Sequence, residues 1–486
     1  MRTARSAGAS GRSASALPGW FAALLPAALF AVLWVSLRAT APMLHTEASV
    51  LVHGQLGPAT LWRESATTGR TELLYRLLAS SVANRADALA VLRWASLVAG
   101  VLVVLAVART AAGLWGAGAA LVCGGFLVVQ PLLVPLSLGA GAQLPALAGI
   151  ALAGWQLTSR LEHYEELGAG TTVLHALLLV WAVGLDLTLA PALLAHIVYA
   201  ATMRPSARGW RQLVGCWLLA AGTGAWVWWG TAASTSIRGA AVVWAAVRDS
   251  LAGPSPLFWL APALALLVLV VSALGSGGRS LLDPGLGLAL GLLIVTPVAC
   301  VLAGPRWRGG AGSASMTAVV LGLGLLIGCA GGQWRGQGRQ RFVVGVLVAA
   351  LALAGWRGRV LVAPSWHNAD GNPPLARDLV LAASAGEVVV VDDASAPGLS
   401  AALADRMGDH RLWQQAREAL PDARLVVFAP VSLEPWSSRS ADVDEARGRL
   451  VWVGAQSAAA TPPLRCTARG TDHYAQMVVR EFDCAG

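Results

Sequence analysis

Apolar runs of close to twenty residues recur along the first three quarters of the chain, separated by short polar segments. A run of about 20 apolar residues is long enough to cross the hydrocarbon core of a bilayer as a helix. The pattern therefore predicts a polytopic α-helical membrane protein with about eleven spans. The predicted spans are 19–38, 86–108, 111–129, a fourth ending near 158, two short helices within 171–203, and 211–230, 256–275, 285–303, 314–331 and 342–356.

Polar and Pro/Gly-rich positions mark where the predicted spans turn. Arg109 is predicted in the tight connection between the second and third spans, and 129–143 forms a Pro/Gly-rich turn before the fourth. The apolar stretch 171–203 is too long for one span, and Asp186 and Pro191 interrupt it. A charge at the centre of a span costs at least ~2.5 kcal/mol. We therefore predict a hairpin whose Asp186 lies at the outer bend or faces a polar cavity.

The arginines set the predicted orientation, because positive charge concentrates in cytoplasmic loops. Two such loops hold Arg204, Arg208, Arg211 and Arg335, Arg339, Arg341. Residues 1–18 are then a cytoplasmic tail, and a count of eleven spans places the end of the chain outside. The first apolar run is longer than the about 7–15 residues of a signal-peptide core, so we expect it to stay uncleaved.

The composition changes after residue 357, where charged residues become regular. Short buried strands are predicted at 387–393, 423–430 and 449–455, with a helix at 396–407. Strands alternating with a helix indicate a small α/β domain, which we place at 358–486 and outside the cytoplasm. Exported domains hold disulfides, and Cys466 and Cys484 both fall in this domain, so we predict that they form one.

The composition supports a membrane protein and argues against a nucleic-acid-binding one. Charged residues make up 13% of the chain, about half the fraction of soluble domains. The formal charge of +9 comes from arginines scattered over short loops, with no lysine anywhere. A nucleic-acid partner would need a clustered basic face. The lipid bilayer is the predicted partner instead.

Four stretches carry a family resemblance: "HTEAS" (45–49), "RTELLY" (70–75), "LRWASLVAGVLVVLAVARTAAGLWG" (92–116) and the tail strands. In this order they resemble the GT-C membrane glycosyltransferases, in the group of protein O-mannosyltransferases and aminoarabinose transferases. That family carries an Asp-Glu motif after its first span. Here Glu47 matches the Glu, and Thr46 stands where the Asp is expected. Of the family's His-Pro-Pro-Leu-Tyr-Tyr motif only Leu73 and Tyr75 remain. The family often has a second motif, Ser-Gln-Glu-Ala-Arg-x-Tyr, before its fourth span. The stretch "LGAGAQLPAL" (138–147) occupies that position and lacks the Glu, Arg and Tyr.

The resemblance implies a GT-C-like transmembrane domain at 19–357, with a first exported loop at 39–85. It implies a glycosyltransferase that moves a sugar from a polyprenyl-phosphate-linked donor to an envelope glycan, lipid or protein on the outer face of the cytoplasmic membrane. The eroded motifs favour an alternative, a catalytically inactive scaffold or partner in an envelope-glycan system. A transporter would show paired broken helices in corresponding halves, and the sequence does not.

Glu47 is the predicted catalytic acid, either as general base or as a ligand of a divalent metal on the phosphate. We expect it to face a water-filled pocket beside the hairpin. His45 and His53 flank it, but their spacing fits no recognised ligand pattern, so no metal site is predicted. The predicted substrate-binding residues are Arg63, Arg70, Tyr75, Asp186, Arg238 and Arg248. The arginines are chosen because a guanidinium binds phosphate through a two-pronged fork.

Overall fold

The computed structural model of the chain describes most of the helical part and five strands of the tail. The described residues are 19–38, 47, 50, 58, 61–62, 72–83, 85, 87–130, 132–162, 168–229, 260–275, 283–303, 313–332, 343–348, 351, 388–391, 424–427, 448–455, 466–474 and 477–484. The predicted helix at 396–407 lies outside them.

Thirteen α-helices are described in the part up to residue 332. They are Gly19–Arg38 (α1), Leu73–Ser80 (α2), Ala88–Trp115 (α3), Ala117–Val129 (α4), Leu133–Leu138 (α5), Gln143–Glu162 (α6), Ala169–Leu185 (α7), Leu193–Met203 (α8), Ala207–Trp229 (α9), Leu260–Gly275 (α10), Pro284–Leu290 (α11), Thr296–Ala303 (α12) and Ser313–Gly332 (α13). A π-helical turn, Gly291–Val295, joins α11 to α12. Among the described helices, only α3 is both long and apolar enough to cross a membrane on its own. The count of eleven spans stays a prediction.

The break between the second and third predicted spans is at Gly116, so the expectation for Arg109 was wrong. Arg109 lies inside α3, six residues before its end. Gly116 has a positive φ of 94°, a conformation that glycine adopts without a steric cost. The turn therefore needs the glycine, and the charge of Arg109 did not mark it.

The stretch 171–203 folds back on itself at Asp186, as the sequence predicted. α7 ends at Leu185, and a 3₁₀ turn, Leu187–Ala192, leads into α8. His175 of α7 and His196 of α8 have ring centroids only 6.1 Å apart. Both are buried, although each lies about ten residues from the bend. Such proximity requires the chain to turn back between α7 and α8.

Small residues let the helices pack closely and fix their direction. A Cβ at Gly100 of α3 would lie 2.7 Å from the ring of Phe30, and Gly19 lies beside Arg109, so α1 and α3 are antiparallel. The polar groups consequently collect at two ends. One end holds Arg109 and the hydrogen bond from Trp115 Nε1 to Asp283 Oδ2 at 3.0 Å. The opposite end, which we call the acidic end, holds Glu47, Glu72 and Asp186.

The tail forms a five-stranded sheet in the order β2-β1-β3-β5-β4. The strands are Val388–Val391 (β1), Arg424–Val427 (β2), Gly448–Ala455 (β3), Cys466–Tyr474 (β4) and Met477–Cys484 (β5). β1 pairs in parallel with β2 and β3, whereas β5 runs antiparallel to β3 and β4. The first three strands were predicted from the sequence, and the β4–β5 hairpin was not. Cys466 and Cys484 face each other across this hairpin, with Cα atoms 4.0 Å apart, and form a disulfide.

Candidate functional site

Glu47 is fully buried at the acidic end, next to the start of α3. Arg93 binds it through two parallel hydrogen bonds, from Nε to Oε1 and from Nη2 to Oε2, each 2.7 Å long. The backbone N–H of Ala140 donates a third hydrogen bond to Oε1, also 2.7 Å long. Two-pronged guanidinium–carboxylate pairs are among the stronger hydrogen bonds in proteins. The charge of Glu47 is therefore neutralised inside the protein.

This environment differs from the water-filled pocket predicted for Glu47. The arginine that reaches it belongs to the predicted second span and was not among the substrate-binding candidates. The three partners come from three separate segments: the segment between α1 and α2, which the sequence predicted to be the first outer loop, α3, and the connection before α6. Glu47 thereby connects its part of the chain to α3 and to Ala140.

Tyr75 and Glu72 form a second polar group at the acidic end. Tyr75 is buried in α2, and its hydroxyl has no hydrogen-bond partner among the described residues. Burial raises the pKa of the Tyr75 phenol far above its usual range, and the negative charges of Glu72 and Glu47 raise it further. Both carboxylates therefore lie close enough to act on the phenol. Glu72 is half-buried at the start of α2, and its side chain makes no capping hydrogen bond.

Asp186 occupies the bend of the hairpin and is buried. Its Oδ1 accepts hydrogen bonds from Thr188 N at 3.0 Å and from Thr188 Oγ1 at 2.6 Å. α2 lies against this bend, because a Cβ at Gly184 would come within 2.9 Å of Leu74. Glu72 at the start of α2, Tyr75 within it, and Asp186 thus lie in the region where α2 packs on the hairpin.

An aromatic pair lies near the same end. Trp62 of the first outer loop and Trp226 of α9 have ring centroids 5.2 Å apart, and both rings are partly exposed. α9 also reaches the hairpin, since a Cβ at Gly224 would lie 3.2 Å from Leu187. The pair joins the first outer loop to the end of α9.

The structure describes two of the six predicted substrate-binding residues. Tyr75 and Asp186 lie at the same end of the bundle. The predicted arginines, Arg63, Arg70, Arg238 and Arg248, lie outside the described residues. Within the described part, no three His, Cys, Asp or Glu side chains converge as metal ligands do. Sequence reasoning missed Arg93 and Glu72. The sequence did carry a signal for Arg93, because a charged residue inside an apolar span needs a partner of opposite charge.

Comparisons with known proteins identify solved structures with a similar fold. No protein-family profile matches the chain, and no curated protein matches it. Its fold is similar to the crystal structure of ArnT from Cupriavidus metallidurans bound to undecaprenyl phosphate, with a TM-score of 0.53, 12% identity, and coverage of 96% of this chain and 98% of that one. The apo structure of the same ArnT gives a TM-score of 0.39 at 13% identity, over 95% and 98% of the two chains. The similarity to the lipid-bound structure runs along nearly the whole of both chains, and the chain therefore has a fold like that of ArnT.

Proposed function

We propose that the chain is a membrane glycosyltransferase that takes a sugar from a polyprenyl-phosphate-linked donor. The acceptor is an envelope glycan, lipid or protein at the outer face of the cytoplasmic membrane. The observation that carries this proposal is the fold similarity over 96% of the chain to ArnT with undecaprenyl phosphate bound. The acidic end supports it, because acids and an unpartnered phenol gather at one end of an otherwise apolar bundle.

In this proposal the acidic end faces the outside, as the arginine distribution predicts. Transfer from a lipid phosphate needs neutralisation of the departing phosphate. Arg63, Arg70, Arg238 and Arg248 remain our candidates for that task, since all four are expected on the outer side. A guanidinium offers the phosphate two parallel N–H donors.

The transfer also needs a group that takes the acceptor's proton, which contributes typically about 10²–10⁴-fold to a rate. Glu47 has the sequence position of the family's acid, but Arg93 and Ala140 already donate to both of its oxygens. We therefore assign Glu47 a positioning role. Glu72 is the better proton acceptor, because it is half-exposed, makes no capping hydrogen bond, and lies near Tyr75 and Asp186.

A second candidate function is a catalytically inactive relative that serves as a scaffold or partner in an envelope-glycan system. The specific observation in its favour is the engaged state of Glu47, together with Thr46 in place of the family's Asp. Such a protein would keep the lipid-binding fold and lose the chemistry.

Binding of two lipids to the purified full chain tests the shared part of both proposals. Native mass spectrometry would compare undecaprenyl phosphate with undecaprenol, which has the same chain and no phosphate. We expect the phosphate form to bind at least about tenfold more tightly, a difference of about 1.4 kcal/mol. Equal binding contradicts both candidates. Phosphate-dependent binding without sugar release from any undecaprenyl-phosphate-linked donor supports the inactive relative.

A further inference from the structure

Arg109 is a charged residue in the apolar helix α3, at the end of the bundle opposite to Glu47. Within the described part of the chain no carboxylate pairs with it, and no hydrogen bond engages its guanidinium. A cation in this position is costly unless it finds a counter-charge or reaches the membrane surface. The proposed transferase chemistry makes no use of it.

Trp20 stacks on the guanidinium, and Trp155 packs against Trp20. The Cζ atom of Arg109 lies 4.1 Å from the centre of the Trp20 ring. Trp155 meets Trp20 edge-on, with ring centroids 5.8 Å apart. Such stacking is favourable for a cation, by about 0.5–1 kcal/mol at exposed sites, but it leaves the in-plane N–H groups unused. The Nε atom is enclosed without a partner, and the two Nη groups remain accessible.

The depth of Arg109 matches the boundary between the hydrocarbon core and the headgroups. A helix of the length of α3, 28 residues, extends about 42 Å, against a core of about 30 Å. If α3 is centred in the bilayer, it projects about 6 Å beyond the core at each end. Arg109 lies six residues before the end of α3, which is about 9 Å along the axis. The Cα of Arg109 is then about 3 Å inside the core boundary, a depth from which a long arginine side chain can extend its charged end toward the headgroups.

We propose that Arg109, stacked on Trp20, binds the phosphodiester headgroup of a phospholipid in the leaflet opposite to Glu47. The chemistry of the site selects this ligand. A phosphodiester brings the missing negative charge and two free oxygens, which match the two Nη groups of a stacked guanidinium. Trp20 is about half exposed and offers apolar surface to the glycerol and first acyl carbons. This site is independent of the transferase activity and of its donor lipid.

Titration of the detergent-solubilised full chain with two lipids tests the site. Native mass spectrometry would measure the first binding constant for phosphatidylglycerol and for diacylglycerol with the same acyl chains. We expect Arg109→Gln to weaken phosphatidylglycerol binding about tenfold, the usual scale for losing one charged contact of about 1.4 kcal/mol. Diacylglycerol binding should not change. Inorganic phosphate should fail to displace the lipid.

Three further variants keep the test decisive. Arg109→Lys keeps the charge and removes the fork, so it should bind more weakly than the unaltered protein even if Arg109→Gln does not fold. Trp20→Leu should weaken binding while the charge remains. Arg85→Gln is the matched control, since Arg85 is exposed at the other end and pairs with Asp87. The proposal is overturned if phosphatidylglycerol binds no better than diacylglycerol, if inorganic phosphate displaces it, or if the Arg109 variants bind it as the unaltered protein does.

Discussion

Arg93 and Glu47 lie 46 positions apart in the chain and form a two-pronged, fully enclosed ion pair with both distances at 2.7 Å. The pair joins the first outer loop to α3, and the N–H of Ala140 extends it to the connection before α6. A buried pair of this kind is weak evidence for net stability, but breaking one side of it leaves an uncompensated charge. The Arg93–Glu47 pair therefore positions the segments that form the acidic end.

The first prediction concerns this support. Glu47→Gln or Arg93→Gln should each lower the free energy of unfolding by about 3–5 kcal/mol, because either change leaves one partner buried without a counter-charge. The double variant should lose less than the sum of the two. Unfolding of the purified protein in a detergent titration measures this. Arg85→Gln, which removes an exposed pair with Asp87, serves as control and should leave the transition unchanged. Additive losses in the double variant would contradict the pairing.

The second prediction concerns the close packing of α6 on α7. A Cβ at Gly149 would lie 2.8 Å from the carbonyl oxygen of Leu178 and 3.0 Å from Ala182. Gly149→Ala should therefore destabilise the protein by about 1–3 kcal/mol, since a backbone carbonyl cannot easily move away. At Gly222 of α9 a Cβ meets nothing within 4 Å, and Gly222→Ala should be neutral or stabilise by up to about 1 kcal/mol. The measurement is the thermal unfolding temperature of the two variants. Equal unfolding temperatures would contradict the close contact between α6 and α7.

Much of the helical architecture could be predicted from the sequence, because a membrane span is defined by a local property, a run of apolar residues. The bend at Asp186 was also local. The break before the third span was misplaced since Arg109 was taken as a loop residue, whereas its charge is accommodated by stacking on Trp20. The β4–β5 hairpin was missed because β4 is mostly polar and because Arg480, Glu481 and Asp483 interrupt the apolar residues of β5.

The site was harder to predict, because its partners come from distant segments. Nothing local in "HTEAS" (45–49) indicates Arg93 or the N–H of Ala140. The resemblance identified Glu47 as the family's acid, and only the packing shows that its charge is neutralised. From the sequence we expected a change at Glu72 to have little effect, since the role proposed for it depends on the contact between α2 and the hairpin.

The third prediction concerns the disulfide of the tail. Cys466 and Cys484 are bonded to each other, while the described Cys123, Cys216 and Cys329 are buried and form no disulfide. Alkylation of the unfolded protein without reductant should label the other four cysteines of the chain, Cys123, Cys216, Cys300 and Cys329, and spare the bonded pair. Closing a loop of this size stabilises by roughly 3 kcal/mol in the chain-entropy model. Reduction should therefore make the tail more sensitive to protease. Labelling of Cys466 before reduction would contradict the prediction.

The fourth prediction concerns orientation. A reporter fused after Arg359 should be active only if it is of a type that works outside the cytoplasm, because the arginine bias places residues 1–18 inside. A fusion at Pro205, between α8 and α9, should give the opposite result. A cytoplasmic signal after Arg359 would contradict the predicted count of eleven spans.

The most direct test of the central claim is sugar release by the reconstituted full chain. Vesicles would carry undecaprenyl phosphate linked to each of several labelled monosaccharides, and the measurement is the rate at which undecaprenyl phosphate appears. We expect turnover with at least one donor and a loss of about 10²-fold or more in Glu72→Gln. Asp87→Asn, which alters an exposed acid paired with Arg85, should leave the rate unchanged. Turnover that Glu72→Gln leaves intact would contradict the role of Glu72, and no turnover with any donor despite lipid binding would contradict the transferase itself.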